Sequence, residues 1–471
     1  MDHSLETLTK PVKPKADQKA LTTFFQPTAG TKRKRKTDQP ASQDFAVPPS
    51  VQTSTETVKW LRAGTLLIGQ FGSPEARPKV AGFDLDHTLI RVQGNHTFAK
   101  HADDWQFVYK CVPRRLRELH DSGYKVVIFT NQGGLRRSFD KGNHKAFNKY
   151  RIFSEKIEKV AKAIQVPFQL LAATDYDLYR KPRGAMWRFF EQYLNNRVIL
   201  DLGSSYYVGD AAGRPGDWQS GKPKDFSDTD RKFSVNLNIK FFTPEEYFLD
   251  EPAAPFSYGD FVPHTFPLSE TDQKDTTKQI VKPADSTELV LLVGCPASGK
   301  TTLVKNIFIP AGYVHINQDT LKTRTKCLAV CREALTKRQS VVVDNTNADR
   351  TTRKFYLSLA QELGYPARCI HLQTNRAVAE HNNWYRAHSS LDQDEFIVRN
   401  ALPDHPDLPK VSYPHIIPTI AYNTYNSRFE TPSTDEGFTE VLQVPFTLDT
   451  AWWQGNGDVD KQLAKWRQWY L

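Results

Sequence analysis

Residues Glu288-Leu-Val-Leu-Leu-Val293 form an apolar run that breaks at Gly294-Cys-Pro-Ala-Ser-Gly299-Lys300-Thr301 and gives way to a stretch compatible with a helix. No other feature of the chain restricts its fold as tightly. The pattern is that of a phosphate-binding loop, and it works only where a buried strand hands over to a helix N-terminus. There the glycines let backbone N–H groups turn toward a phosphate, and the helix end adds positive potential. Further apolar runs at 313–316, 340–343 and 368–372 alternate with helical stretches, which predicts a parallel sheet covered on both faces. Lys300 is positioned to reach the terminal phosphates of a nucleotide, and Thr301 offers a hydroxyl to Mg2+. Gly294, Ser298, Gly299 and Thr302 complete the cradle.

The loop specifies nucleotide phosphate and leaves the acceptor open. Tyr313-Val-His-Ile-Asn-Gln-Asp319-Thr320 puts Asp319 at a strand end, where a carboxylate can take a proton from an acceptor hydroxyl; aspartate in that position also caps helices. Asp344-Asn-Thr-Asn347 ends the run Val341–Val343, so Asp344 is a candidate for ordering the metal. Arg376 and Arg386 lie in a polar helical stretch from which an arginine can close on a transferring phosphoryl group. Arg386 is preferred, and a solvent-facing role is the alternative for either.

At 471 residues the chain is long enough for two or three domains of about 150 residues each. A second alternating pattern lies upstream. Val80-Ala-Gly-Phe-Asp-Leu-Asp86 reads as a buried strand ending in two aspartates, and residues i and i+2 of a strand face the same way. Asp84 and Asp86 therefore converge on one volume, where one carboxylate can act as nucleophile beside a metal while the other manages a proton. Thr130-Asn131 closes the run 125–130, Lys181-Pro182 follows 168–173, and Gly209-Asp210 closes 205–209; a helix over 144–164 lies between. All these polar groups fall where parallel sheets place ligand sites.

This set resembles the haloacid-dehalogenase-type phosphatases, whose four motifs match Asp84 with Asp86, Thr130, Lys181 and Asp210. The resemblance implies that Asp84 attacks phosphorus and that Asp86 protonates the leaving oxygen and then activates water. Thr130 and Lys181 would stabilise the phosphoryl group, and Mg2+ would be held among Asp84, Asp86 and Asp210. Which of Asp217, Asp225, Asp228 and Asp230 supports the metal is left open.

Residues 1–55 are rich in Lys, Pro, Thr, Gln and Ser and predict a disordered tail. It carries a basic run, Lys32-Arg-Lys-Arg-Lys36, compatible with nuclear import or nucleic-acid contact. It also carries Gln18-Lys-Ala-Leu21-Thr-Thr-Phe24-Phe25, which resembles a sliding-clamp-binding box: one helical turn would gather Leu21, Phe24 and Phe25 into an apolar plug beside Gln18. A chance apolar patch is the alternative. The net charge of +10 favours phosphate-rich partners and is uneven, +4 over residues 1–50, +5 over 51–285 and +1 over 286–471. Five cysteines show no metal-type spacing, and Cys327 and Cys331, four apart, read as buried apolar filler. No apolar run approaches the ~18 residues of a membrane helix. A soluble intracellular protein without a membrane role is expected, with a nuclear location and a monomeric state.

The two halves together resemble the polynucleotide kinase 3′-phosphatase family of DNA end-healing enzymes. The likeness runs over residues 60 to 471 and rests on the phosphatase-then-kinase order, Val208-Gly-Asp-Ala-Ala-Gly-Arg214, Thr243-Pro-Glu-Glu-Tyr-Phe248, the Gly294–Thr301 loop, Asp344-Asn-Thr-Asn347 and His381-Asn-Asn383. It implies Mg2+-dependent removal of 3′-phosphates and ATP-dependent phosphorylation of 5′-hydroxyls on DNA ends. The expected fold is α/β, two doubly wound parallel-sheet domains behind a disordered tail: tail 1–55, phosphatase 56–255, linker 256–286 and kinase 287–471. Animal members begin with a forkhead-associated domain, which this tail is too short and strand-poor to form. A phosphatase fused to a small-metabolite kinase, or a scaffold that kept both folds, are the competing readings. Arg136, Arg137, Lys222 and Lys224 are candidate DNA contacts, and the tryptophans at 452, 453, 466 and 469 read as core.

Overall fold

The computed structural model describes residues 57–94, 96–269, 280–282, 286–389, 396–397, 416–450 and 458–471. The Gln18–Phe25 box, the Lys32–Lys36 run, Trp452 and Trp453 lie outside the described residues. The chain divides between Ser257 and Tyr258 into two units, with Phe396 and Ile397 grouped with the first.

The first unit is built on a seven-stranded sheet in the order Lys59–Ala63, Leu66–Phe71, Phe168–Ala173, Lys125–Asn131, Val80–Phe83, Tyr206–Val208, Lys240–Phe242. The last five strands run parallel. Their central members are buried along their whole length, which is why they read as unbroken apolar runs in the sequence. The sheet is mixed, where a wholly parallel one was expected. Leu66–Phe71 runs antiparallel to both of its neighbours, because Ala63 and Leu66 close a hairpin across Gly64 and Thr65, and a hairpin needs no crossover helix. Gly64 adopts φ +61, a value that suits glycine in such a tight link.

The helix His144–Ile164 covers one face. Asn143 caps it by accepting from the Ala146 N–H, and Phe153, Ile157, Val160, Ala161 and Ile164 form its buried stripe. On the opposite face Phe129 meets Trp187, Phe190, Tyr207 and Phe233 at ring separations of 5.5 to 6.4 Å. The chain leaves Val80–Phe83 toward Lys125–Asn131 and leaves its other neighbour, Tyr206–Val208, toward Lys240–Phe242, so the connections of these two adjacent strands run in opposite directions. A crevice must open where they part, just beyond Phe83.

The second unit holds a five-stranded, all-parallel sheet in the order Val314–Ile316, Val341–Val343, Leu289–Val293, Ala367–Gln373, Glu440–Pro445. Strand alternation sorts its core. Leu289, Leu291, Val293, Val341 and Val343 join one cluster, with Cys327 and Cys331 among them as free buried thiols, while Val290, Leu292 and Val342 join another on the opposite face. The chain leaves the central strand, Leu289–Val293, toward Val314–Ile316 and leaves its neighbour Ala367–Gln373 toward Glu440–Pro445, again in opposite directions. No described helix is long and apolar enough to cross a membrane.

Within the segment read as a linker, Phe261 is buried and sets its ring 5.0 Å from His381, 6.0 Å from Trp466 and 6.2 Å from Trp469, all of the second unit. The Pro- and Ser-rich composition around it conceals an aromatic anchor. If this anchoring is integral to the unit, Phe261→Ala removes a fully packed ring and should cost about 3–5 kcal/mol in urea unfolding of the second unit. A free connector would lose nothing.

Candidate active sites at two strand switch points

Asp84 follows the strand Val80–Phe83, and its N–H is held by the Val208 carbonyl at 2.9 Å, so the neighbouring strand fixes where the carboxylate emerges. Lys181 reaches the same point from the loop after Phe168–Ala173. The Asn131 side-chain amide grips the Lys181 backbone on both sides, accepting from its N–H at 2.9 Å and donating to its carbonyl at 3.2 Å. The Lys181 ammonium spends its three protons on Asp84 Oδ1 at 2.6 Å, Asp230 Oδ1 at 2.7 Å and the Tyr207 hydroxyl at 2.7 Å. Tyr207 in turn donates to the Phe129 carbonyl at 3.0 Å.

Asp230 answers the question left open among four aspartates. It caps the far end of the 210–230 loop, where its second oxygen accepts from the Ala211 N–H at 3.1 Å. It can lie this close only because residue 209 is glycine: a Cβ there would sit 2.5 Å from Asp230 Cγ. Asp210 is held by Thr88, which donates its hydroxyl to Oδ1 at 3.1 Å and accepts the Asp210 N–H at 3.1 Å.

Asp84, Asp210 and Asp230 each offer a carboxylate oxygen within 4.8 Å of the others. Three carboxylates face one lysine. Burial pushes the Asp84 carboxyl up to about 7 against the pull of Lys181, and burial together with Asp84 and Asp230 raises Asp210 well above the carboxylate range. Burial alone would lower Lys181, yet Asp230 and Asp84 outweigh it and raise it. An all-oxygen donor set with excess negative charge fits a hard divalent cation such as Mg2+.

The Asp86 carboxylate, also expected to hold the metal, is not one of the three gathered in this group. Asp86 sits three residues past the strand's last paired residue and turns to Gln132, whose amide donates to it at 2.7 Å, and to Lys156 at 3.6 Å. The same Gln132 amide donates to Thr130 Oγ1 at 2.9 Å, so Asp86 and Thr130 share one polar group at the edge of the site.

In the second unit the Lys300 ammonium donates to the Gly294 and Cys295 carbonyls at 2.9 and 2.7 Å and to Ser298 Oγ at 3.2 Å, within its own loop. Burial lowers its pKa to about 8. Gly299 takes φ +99, and a Cβ on Gly294 would fall 2.7 Å from Ser298 Oγ, so both glycines are structural requirements of the loop. Thr301 Oγ1 donates to Asp344 Oδ2 at 2.7 Å. His315 Nε2 meets the same oxygen at 3.1 Å, and Asn317 donates to the Asp344 carbonyl at 2.8 Å. Burial works to raise the Asp344 carboxyl, but hydrogen bonds from His315 and Thr301 prevail and hold it below its usual range.

Asp319 is the second residue of the short helix Gln318–Leu321 and presents an exposed carboxylate, while Asn317 takes the capping role, accepting from the Asp319 N–H at 2.8 Å. Beside it opens a cavity of about 420 Å3 whose lining includes Pro296, Gln318, Arg324, Asn345, Tyr425 and Arg428. Arg386 lies exposed in the last turn of the helix Arg376–His388 and donates to Asn383 at 3.3 Å. Arg376, at the other end, pairs with Glu380 at 2.8 Å, and its charge acts on the loop thiol Cys295. Of the candidate DNA contacts, Arg136 pairs with Asp175 and Arg137 with Asp140, and both keep mostly exposed side chains.

His315, Asn317 and Asp319 lie at alternate positions, and Thr88 lies two residues past Asp86. Period-two reading of the strand ends could have found these supports. Nothing local marks Tyr207, Gln132 or Asp230, which reach the site from other strands and loops.

The model of the Polynucleotide kinase 3 phosphatase family matches residues 79–248, and an AAA domain matches residues 289–402. The chain is similar to a bifunctional polynucleotide phosphatase/kinase of Schizosaccharomyces pombe, 35% identical over 91% of this chain and 94% of that protein. It is also similar to a putative bifunctional polynucleotide phosphatase/kinase of Acanthamoeba polyphaga mimivirus, 34% identical over 84% of this chain and 92% of that one. A polynucleotide 3′-phosphatase of Arabidopsis thaliana is 36% identical over 38% of this chain and 25% of its own length.

Removing the Lys181 ammonium from the first site should be costly. Lys181→Met leaves Asp84 and Asp230 buried without their cation and should destabilise the first unit by about 3–5 kcal/mol in thermal melting without divalent ions. Added Mg2+ should restore part of the loss.

Proposed function

The chain belongs to the bifunctional polynucleotide phosphatase/kinase family, and from that premise we propose that it removes 3′-phosphates from DNA ends and phosphorylates their 5′-hydroxyls, readying strand breaks for ligation. The observation that carries this is the presence on one chain of two complete phosphate sites of opposite chemistry. One is a carboxylate cluster with a nucleophile and no nucleotide loop, and the other is a nucleotide loop with a base beside an acceptor cavity.

At the first site Asp84 attacks the phosphorus of a 3′-phosphomonoester. The bond to the 3′ oxygen breaks, an aspartyl-phosphate forms, and Asp86 delivers the proton that the departing oxygen needs. Asp86 then takes a proton from water, which displaces phosphate from Asp84. Gln132 fits Asp86 for both tasks by holding its carboxylate and Thr130 in one hydrogen-bonded group. Lys181 holds Asp84 in the attacking orientation and offsets phosphoryl charge. Asp84, Asp210 and Asp230 would hold Mg2+, which supplies positive charge opposite the phosphoryl oxygens.

At the second site Lys300 and the loop N–H groups bind the phosphates of ATP, the phosphates replacing the loop carbonyls as partners of the ammonium. Thr301 and Asp344 would hold the nucleotide's Mg2+. Asp319 takes the proton of the 5′-hydroxyl as its oxygen attacks the γ-phosphorus, and the bond from that phosphorus to the bridging oxygen breaks to release ADP. Arg324 and Arg428 in the neighbouring cavity favour a polyanionic acceptor over a neutral sugar. Arg386, or Arg376 at the other end of the same helix, would meet the charge that develops on the transferring group.

The basic run Lys32–Lys36 supports a nuclear site of action, and the Gln18, Leu21, Phe24 and Phe25 box supports recruitment to a sliding clamp. We take the protein to act as a monomer.

End analysis of a nicked duplex carrying 3′-phosphate and 5′-hydroxyl tests the two-site reading. Asp84→Asn should abolish phosphatase activity and spare the kinase; Lys300→Ala should do the reverse, each by about 10³-fold or more. Loss of both activities from either change in a folded chain would overturn it, and so would preference for sugars or nucleosides over oligonucleotides.

A further inference from the structure

Two motifs of the first unit carry the family likeness, Val208-Gly-Asp-Ala-Ala-Gly-Arg214 and Thr243-Pro-Glu-Glu-Tyr-Phe248, and neither Arg214 nor the second motif has a task in the chemistry above. The fold brings them together. Arg214 is buried, and its guanidinium donates to Asp225 Oδ2 at 2.8 Å and Oδ1 at 3.1 Å through Nε, and to Glu245 Oε2 at 2.8 Å through Nη1. Trp218 covers its face, with the ring centre 3.8 Å from the guanidinium carbon. Glu245 is free for this contact because the other acidic residue of its motif is engaged elsewhere. Glu246 closes a capping box with Thr243, accepting the Thr243 N–H at 2.6 Å. Glu245 is further steadied by the Tyr109 hydroxyl at 3.3 Å.

The contacts close a loop. Asp225 accepts the N–H groups of Ala212 at 3.3 Å and Arg214 at 3.0 Å, and its own N–H donates to the Arg214 carbonyl at 3.1 Å. Residues 212–214 and 225 are thereby cinched together between Asp210 and Asp230, the two carboxylates that this loop supplies to the metal cluster. Gly213, at φ +74, makes the turn that brings Arg214 back toward Asp225. The loop would otherwise be a 19-residue excursion free to vary the distance between its ends, and groups behind the ligands commonly set the affinity of a metal site.

We propose that Arg214 is a positioning residue that fixes the separation of Asp210 and Asp230, so that the first site binds its divalent cation preorganised. Arg214 also sets Nη2 3.5 Å from the Asp210 carbonyl, a direct hold on that end of the loop. It acts through Asp225 on the geometry of the loop, and through Glu245 it ties that loop to the helix Pro244–Leu249, which follows the edge strand Lys240–Phe242.

The inference rests on the phosphatase reading of the site, and the experiment separates the two. Mg2+ binding to the full chain without nucleotide is measured by calorimetry, alongside the Mg2+ concentration that half-saturates 3′-phosphate removal. Arg214→Lys keeps the charge and loses the fork, and Asp225→Asn keeps the shape and loses the charge. Each should weaken Mg2+ binding about 10-fold and raise the half-saturating concentration in parallel, with turnover recovered at saturating Mg2+ and 5′-kinase activity unchanged. Glu245→Gln, which loosens only the outer contact, should have a smaller effect of the same sign. Unchanged Mg2+ affinity in a variant that melts like the parent would overturn the proposal, and so would lost turnover that saturating Mg2+ does not restore. A parent chain that dephosphorylates ends without any divalent cation would instead overturn the phosphatase reading.

Discussion

Parallel strands buried on both faces can carry polar chemistry only at their ends, and both units of this chain are organised by that restriction. Along Val80–Phe83 and Leu289–Val293 every side chain is buried, so neither strand has room for an unpaired charge. The first residues able to leave the sheet are Asp84 and Gly294. Each follows a strand whose onward connection runs opposite to that of an adjacent strand, and the resulting crevice lets residues from three or four other segments reach the same point.

The two sites solve the same electrostatic problem with opposite signs. Around Asp84 the protein gathers carboxylates in excess and balances them with one lysine, whose three protons are all committed. Burial raises the carboxyl groups that Lys181 cannot satisfy, and a divalent cation is the natural complement. Around Lys300 the protein gathers backbone N–H groups and one ammonium, with a single deeply buried carboxylate, Asp344, held ionised by Thr301 and His315. That arrangement suits the phosphates of a nucleotide. Each site is thus shaped for the charge that its substrate or metal brings, which is how one chain can handle phosphate in two directions.

Much of this was legible in the sequence. The runs 168–173 and 144–164 fold as a strand and a helix with those bounds, because the first is a continuous apolar run and the second carries a long period-3.6 pattern, and both meet clear stops. The loop glycines and Asp84, Thr130, Asp210, Asp319 and Asp344 could be named because each stands at or just beyond the end of an apolar run, and Lys181 because it lies in the loop after one. The hairpin at 59–71 was not seen: a two-residue link with one glycine gives a weak signal, and its strands are partly exposed on the outer member. The anchoring of Phe261 was hidden for a similar reason, a single aromatic residue in a proline-rich context whose partners lie some 120 to 208 residues further along the chain.

By itself, then, the sequence determined that there are two α/β units, which residues stand at their strand ends, and what class of chemistry those residues can perform. Such properties depend on local pattern, and local pattern is preserved in the chain before it folds. Tertiary structure alone decided which side chains share a volume: that Asp230 rather than Asp217, Asp225 or Asp228 completes the carboxylate cluster, that the Asp86 carboxylate meets Gln132, and that Arg214 meets Glu245. These outcomes depend on how a loop folds back and on which neighbour occupies the space first. Gly209 shows the point in a single residue, since its missing side chain is what allows a carboxylate 21 positions away to close the site.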